Sequence, residues 1–174
     1  MGNPSDAVLA LAGARPPTLG AGRLICLDGP SGSGKTTLAV ALGAPVVHVD
    51  ELIDGWSGLR TVDGPLEGLL RPLAAGEPGA YRRYDWPAGA YAETVTVPPV
   101  PVLVLEGVGA GALAVADLVT VLVWMEAPLE VRRARGLARD GDDFAPHWDA
   151  WAAAESEHFA RHGTRERADL VLRT

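Results

Sequence analysis

Lysine is almost missing from this chain: of 15 Lys and Arg residues, only Lys35 is a lysine. Every other permanent cation is a guanidinium, so the work assigned to Lys35 calls for a compact, mobile ammonium and not a rigid fork. Glutamine is absent and Asn3 is the single asparagine. That rules out an Asn-Lys-x-Asp guanine-reading motif and a glutamine that orients an attacking water, which argues against a switch GTPase. The one cysteine, Cys26, leaves no partner for an intrachain disulfide and fits a reduced, cytoplasmic compartment. Basic charge is also short, with a net charge of −7, which argues against a nucleic-acid or membrane-surface partner because both need a basic face. Long apolar runs are missing too. The most apolar stretch, Val100 to Met125, is interrupted by Glu106, Asp117 and several glycines, and reads as two buried strands with a loop, not a membrane span. The N-terminus lacks the basic start and apolar core of a secretory signal.

What remains is a chain of 174 residues, 48% apolar and 21% charged, enough for one domain with a real core. Its lone lysine lies in Gly29-Pro30-Ser31-Gly32-Ser33-Gly34-Lys35-Thr36-Thr37. This segment matches G-x-x-x-x-G-K-[ST], with an apolar run, Leu24 to Leu27, before it and a helical pattern after it. The glycines allow successive backbone N–H groups to turn inward on phosphate oxygens, and the helix adds its positive N-terminal end. Lys35 would reach the β- and γ-phosphates, and Thr36 would place its hydroxyl on a magnesium ion bridging them.

From Arg23 onward, apolar strands (24–28, 46–50, 102–106, 119–125 and 170–172) alternate with helical patterns (35–42, about 63–75, 128–139 and about 146–162). Such alternation predicts a parallel sheet covered by helices on both faces. Residues 1–20 read as a short helix and a stiff Arg15-Pro16-Pro17 linker appended to the domain of residues 21–174. In a sheet of this kind ligands bind beyond the C-terminal strand ends, where Asp28, Asp50 and Glu106 fall. Phosphoryl transfer needs carboxylates for the metal and one to accept the acceptor's hydroxyl proton. Asp50 is the expected general base and lies close to the metal. Glu106 is the expected magnesium carboxylate beside Thr36, and Asp28 is expected to fix the loop's shape.

Arg132, Arg135 and Arg139 share one helix face, which suggests a lid closing over ATP; a solvated, ion-paired surface is the alternative. His158 and His162 lie four apart, with Glu155 just before them. They read as a solvated helix face, with metal ligation a weaker alternative for want of a supporting motif. Trp148 and Trp151 read as core or lid packing. Trp56, Tyr84 and Trp86, expected on loops, are candidates for stacking on an aromatic acceptor.

With these residues in place, the chain resembles the uridine kinase family of P-loop nucleoside kinases from about Arg23 to Leu172. Besides the phosphate loop, three stretches carry the resemblance: Tyr84-Asp85-Trp86 followed by Glu93-Thr94-Val95-Thr96-Val97; Val104-Leu105-Glu106-Gly107-Val108; and Arg135 to Asp140 with Arg167-Ala168-Asp169-Leu170. It implies a three-layer α/β P-loop NTPase fold, with a mostly parallel five-stranded sheet and a helical lid at about 132–146. It implies ATP and Mg2+ as cofactors, Asp50 as base, and Arg135 and Arg139 as lid arginines. It also places Asp63 and the Tyr84-Asp85 pair, with Arg132, toward the acceptor. The departures lie on the acceptor side. Glu51-Leu52-Ile53 follows Asp50 where the family has an aromatic pair, and Pro87-Ala88-Gly89-Ala90 stands where a histidine or arginine would follow Trp86.

The expectation is therefore a kinase acting on a hydroxyl of a small-molecule acceptor, with a uridine- or cytidine-like nucleoside first. A nucleotide, a sugar or a specialised metabolite are alternative acceptors, and a non-kinase ATP-binding regulator is an alternative function. No sequence feature specifies an oligomeric state.

Overall fold

The computed structural model of the protein describes residues 3–141 and 145–174, the Asp140 side chain excepted. In chain order the elements are α1 (Pro4–Gly13), β1 (Arg23–Asp28), α2 (Lys35–Ala41), β2 (Val46–His48), α3 (Asp63–Ala74), β3 (Gly79–Asp85), β4 (Ala90–Val97), β5 (Val102–Glu106), β6 (Val121–Glu126), α4 (Leu129–Asp140), α5 (Trp148–His162), α6 (Thr164–Arg167) and β7 (Leu170–Arg173). β1, β5 and β6 are nearly continuous apolar runs, as strands covered on both faces must be. They form the centre of a five-stranded sheet in the order β2-β5-β1-β6-β7, and every pairing in it is parallel.

Alternation along β1 divides the core into two layers. Leu24 and Cys26 pack with Leu66 and Leu69 of α3 and with Trp148 and Trp151 of α5. Ile25 and Leu27 face the other way, onto Val8 and Ala12 of α1 and Leu38 and Ala39 of α2. The result is the three-layer α/β architecture of a P-loop NTPase. Residues 3–20 are part of this packing. Val8 is fully buried, the Arg23 guanidinium donates to the carbonyls of Ala12 and Arg15, and Arg15 pairs with Asp169 at 2.7 Å.

Three differences from the sequence reading matter for the site. β2 stops at His48, and Val49–Glu51 forms a 3-10 turn, so Asp50 is carried on a turn beyond the strand and not on its last residue. Residues 79–97, where the sequence reading assigns no strand and expects Tyr84 and Trp86 on loops, form an antiparallel hairpin, β3–β4, in a separate two-stranded sheet. It can lie against α3 because Gly79 has no side chain: a Cβ there would stand 2.2 Å from the Leu69 carbonyl oxygen. Finally, α5 begins at Trp148 after a 3-10 turn, Ala145–His147. The expected lid at about 132–146 covers α4, but residues 142–144 lie outside the described residues, as do residues 1 and 2 of the N-terminal segment. Among the described residues, no helix is long and apolar enough to cross a membrane.

Candidate functional site

The C-terminal ends of β1, β2 and β5 open into a cleft of about 1130 Å³. That exceeds the roughly 300–1,000 Å³ typical of a pocket for one small ligand, so the cleft has room for two. Its floor is the loop that follows β1. Gly29 turns the chain out of the strand at φ 136°, and a Cβ there would lie 2.1 Å from the Met125 carbonyl oxygen, so only glycine fits. Asp28, fully buried just before it, holds the turn. Its Oδ1 accepts the N–H groups of Gly29 at 2.7 Å and Gly109 at 3.0 Å, and its Oδ2 accepts that of Gly111 at 2.8 Å. One carboxylate thus ties the loops after β1 and β5 together. Burial, opposed by these amides and by Lys35, pushes the Asp28 carboxyl up to about 6.

Lys35 lies almost wholly within the fold. Its Nζ donates to the carbonyls of Gly29 at 2.7 Å and Pro30 at 3.1 Å. Burial lowers its pKa, while the negative charges of Glu155, Glu106 and Asp28 work the other way. Ser31, Gly32, Gly34, Thr36 and Thr37 line the cleft with it. Gly29 and Ser33 do not line it; they shape the loop from behind, Ser33 being fully buried.

Glu106, at the end of β5, is gripped from two sides. Thr36 Oγ1 donates to its Oε2 at 3.1 Å, and His48 Nδ1 lies 2.8 Å from its Oε1. Burial alone would raise the Glu106 carboxyl, but His48, Lys35 and Thr36 outweigh it and hold the group below the usual carboxylate range. The same hydrogen bond raises the pKa of His48. Asp50 lines the same cleft from an exposed position on the turn. The surrounding walls and then the charge of Glu106 push it above the ordinary carboxylate range.

The opposite wall is aromatic. Trp56 stacks on His147 with ring centroids 4.6 Å apart and meets the rings of Trp86 and Trp151 edge-on at 4.9 and 5.7 Å. The Trp86 indole N–H is anchored on the Asp50 carbonyl oxygen at 3.0 Å. Arg135 and Arg139 of α4 border the cleft, and Arg135 reaches the carbonyl oxygen of Gly32 at 3.2 Å.

The structure therefore brings Lys35, Thr36, Asp50, Glu106, Trp56, Trp86, Arg135 and Arg139 into one cleft. Four residues expected to face an acceptor do not line it. Tyr84 is buried under Trp86 and Tyr91. Asp85 closes the hairpin turn by accepting from Ala88 N at 3.0 Å and from Arg83 at 3.3 Å. Asp63 starts α3 with a buried Oδ1. Arg132 reaches behind the phosphate loop to the Ser31 carbonyl oxygen.

Sequence reading missed His48, His147, Trp151 and Glu155 as parts of the site. His48 enters the site through tertiary pairing, because β2 and β5 are adjacent and His48 is the register partner of Glu106. The histidine pair is not on a solvated face. His158 and His162 are 3% and 5% exposed, and their rings stack 4.1 Å apart. Among the described residues, no group of three or more His, Cys, Asp or Glu side chains could hold a metal.

No protein-family model and no curated protein sequence matches the chain. Solved structures do. A possible uridine kinase from Bacillus stearothermophilus superposes with a TM-score of 0.67 at 21% identity, covering 97% of this chain and 96% of the other. A candidate fructose transport system kinase from Silicibacter sp. TM1040 gives 0.57 at 25% identity with the same coverage, 97% and 96%. An uncharacterised protein from Eubacterium ventriosum gives 0.51 at 14% identity over 87% of each chain. The chain has a P-loop kinase-like fold. The similarity extends over almost the whole chain in the first two structures, so α1 and the hairpin fall within the superposed region as well as the phosphate loop.

Proposed function

We propose that the protein is an ATP- and Mg2+-dependent kinase that phosphorylates a hydroxyl of a small molecule, with a nucleoside as the first candidate acceptor. The observation that carries this reading is the array at the floor of the cleft. Lys35 in the glycine-rich loop, the Thr36 hydroxyl 3.1 Å from a Glu106 oxygen, and Asp50 all face one space. A switch or scaffold needs a phosphate loop, but it has no use for a further carboxylate opposite an aromatic wall that can hold a second molecule. The fold's likeness to small-molecule kinases supports the same class of reaction, and the resemblance to a sugar-transport kinase keeps a sugar hydroxyl as the second candidate.

The side chains present fit the cofactors. Thr36, Glu106 and Asp50 offer the hard oxygen donors that magnesium takes, and the glycines leave backbone amides where a Cβ would block approach. When bound, MgATP supplies the transferable phosphoryl group and the metal charge that offsets its oxygens. Lys35 and the loop amides would hold the phosphates, and Thr36 and Glu106 would hold the metal. Asp50, its pKa raised toward a working base, would take the proton from the acceptor hydroxyl. Arg135 and Arg139 would offset negative charge on the transferring group. Trp56 and Trp86 would pack on the acceptor and exclude water.

The test is ADP release from MgATP across a panel of nucleosides, nucleoside monophosphates and sugars, with Lys35→Ala as the blank and mass detection of the product. A Lys35-dependent phosphorylated nucleoside or sugar is expected. MgATP binding with no turnover on any acceptor would overturn the kinase reading in favour of a nucleotide-gated binder.

A further inference from the structure

Ser31, the third residue of the phosphate loop, has all three of its polar groups held by side chains from outside the loop. Its N–H donates to Glu155 Oε1 at 2.8 Å. Its Oγ accepts from the Trp151 indole N–H at 2.9 Å. Its carbonyl oxygen accepts from Arg132 Nη1 at 3.3 Å. Glu155 and Trp151 are four residues apart on α5 and so share a face; Arg132 comes from α4.

Two points of chemistry give this arrangement a function. The first concerns Glu155. A carboxylate set against a loop that receives phosphate works against anion binding, and a buried one is costly unless its charge is committed to partners. Glu155 is 3% exposed, and its partners are the Ser31 amide and, at 4.0 Å, the Arg132 guanidinium. Its charge is thus balanced by Arg132 and by the Lys35 ammonium, while its Oε1 holds the loop's shape. The second concerns the direction of the serine proton. An indole N–H only donates, so in the Trp151 contact Ser31 Oγ must be the acceptor. That leaves the hydroxyl's own hydrogen with no acceptor among the described residues, and Ser31 lines the cleft.

We propose that Trp151 and Glu155 are positioning residues for the nucleotide: they fix Ser31 so that its hydroxyl proton is offered to a phosphate oxygen. The Trp151 ring also meets Trp56 edge-on, so the residue that sets the phosphate loop braces the aromatic wall as well. The inference rests on the reading of the loop as a nucleotide site.

The experiment is a double-mutant cycle on MgADP affinity, measured by calorimetry on the full chain. Ser31→Ala and Trp151→Phe should each weaken MgADP about ten- to 150-fold, the value of one hydrogen bond to a charged group. The double variant should bind no worse than the weaker single, because both remove one and the same bond. Ser31→Ala removes no packing, so its effect stands even if Trp151→Phe folds poorly. Glu155→Gln keeps the acceptor oxygen and should bind MgADP at least as well as wild type, whereas Glu155→Ala should lose affinity severalfold. Additive losses in the cycle, an unchanged Ser31→Ala, or a Gln variant as weak as the Ala variant would overturn the proposal. If wild type binds MgADP in a Lys35-dependent way and the cycle is additive, only this inference falls; if wild type does not bind MgADP, the nucleotide reading falls with it.

Discussion

His48 and Glu106 are register partners at the ends of β2 and β5, and their side chains meet at 2.8 Å where the sheet opens into the cleft. With Thr36 on its other oxygen, Glu106 has both acceptor atoms committed, so a carboxylate that is 5% exposed sits in a fixed orientation. The energetic effect depends on pH in a way that can be worked out from the shifts. The pKa of His48 is raised above its ordinary 6.5, so its contribution to stability is full below that value and fades as pH rises through the higher folded value. The Glu106 pKa is lowered from its ordinary 4.5, so its contribution is full above that value and is lost as pH falls through the lower folded one. His48→Ala should therefore cost most between those limits. The expected loss is about 1 kcal/mol, kept small because the imidazole is more than a third exposed and screened. Urea unfolding at pH 5.5 and pH 9 checks it: the deficit should shrink at the higher pH, and an equal deficit at both would deny the ion pair.

Asp50→Asn removes the proposed base while leaving the phosphate loop untouched. A positioned general base contributes about 10²–10⁴ in rate, so transfer to the best acceptor should fall by at least about a hundredfold. MgADP affinity should change little, since Lys35 and the loop amides remain. The comparison is ADP release in the steady state against calorimetric binding of MgADP. Transfer at the wild-type rate would assign the proton to another group.

The elements proposed to carry phosphate chemistry were legible because they are local in the sequence. The loop is a contiguous motif, and its glycine spacing implies its shape. Asp50 and Glu106 were recognisable because each follows an apolar run that reads as a strand, β2 at the edge of the sheet and β5 beside β1 at its centre. The aromatic wall was legible only in part: Trp56 and Trp86 stood out as aromatic residues expected on loops, but His147 and Trp151 join them from the 3-10 turn Ala145–His147 and from α5 only through tertiary packing. The hairpin itself was hidden by its charged, half-exposed strands, in which Arg82, Arg83 and Glu93 interrupt the alternation that marks a sheet with one buried face. On α5 the signal was there but misread. Trp148, Trp151, Glu155, His158 and His162 are buried together at spacings of three and four, the pattern of an inward stripe, yet three of the five are polar and so suggested a solvated face.

Asp28→Asn tests the tie between the loops after β1 and β5. The carboxylate accepts three backbone N–H groups on two oxygens. An amide offers one oxygen and turns an NH2 group toward at least one of those donors. A buried donor left unsatisfied costs about 1–3 kcal/mol, so the variant should be destabilised by roughly 2 kcal/mol in chemical denaturation. Because Gly29 opens the phosphate loop, MgADP affinity should fall with it. Wild-type stability in this variant would mean that the two loops hold their shape without the carboxylate.

The stacked imidazoles on α5 lead to an acid-sensitivity prediction. Burial, with repulsion from His162 and Arg161, pushes His158 down to about 4, and burial lowers His162 as well. A base with a depressed folded pKa contributes stability above its unfolded value of 6.5 and loses it as pH falls toward the folded value, because the unfolded chain binds the proton first. Asp28, raised to about 6, has the opposite slope, its stability being lost as pH rises from 3.8 through that value. The two trends offset each other in the wild-type curve, so the difference between proteins is the quantity to measure. His158→Leu removes the buried Nε2, which has no hydrogen-bond partner among the described residues, and keeps the apolar volume. Relative to wild type it should gain on the order of 2 kcal/mol on going from pH 7.5 to pH 4.5, or a few degrees in melting temperature for a chain of this size. A melting difference that stays constant across that range would show that His158 does not titrate there and that acid sensitivity arises elsewhere in the fold.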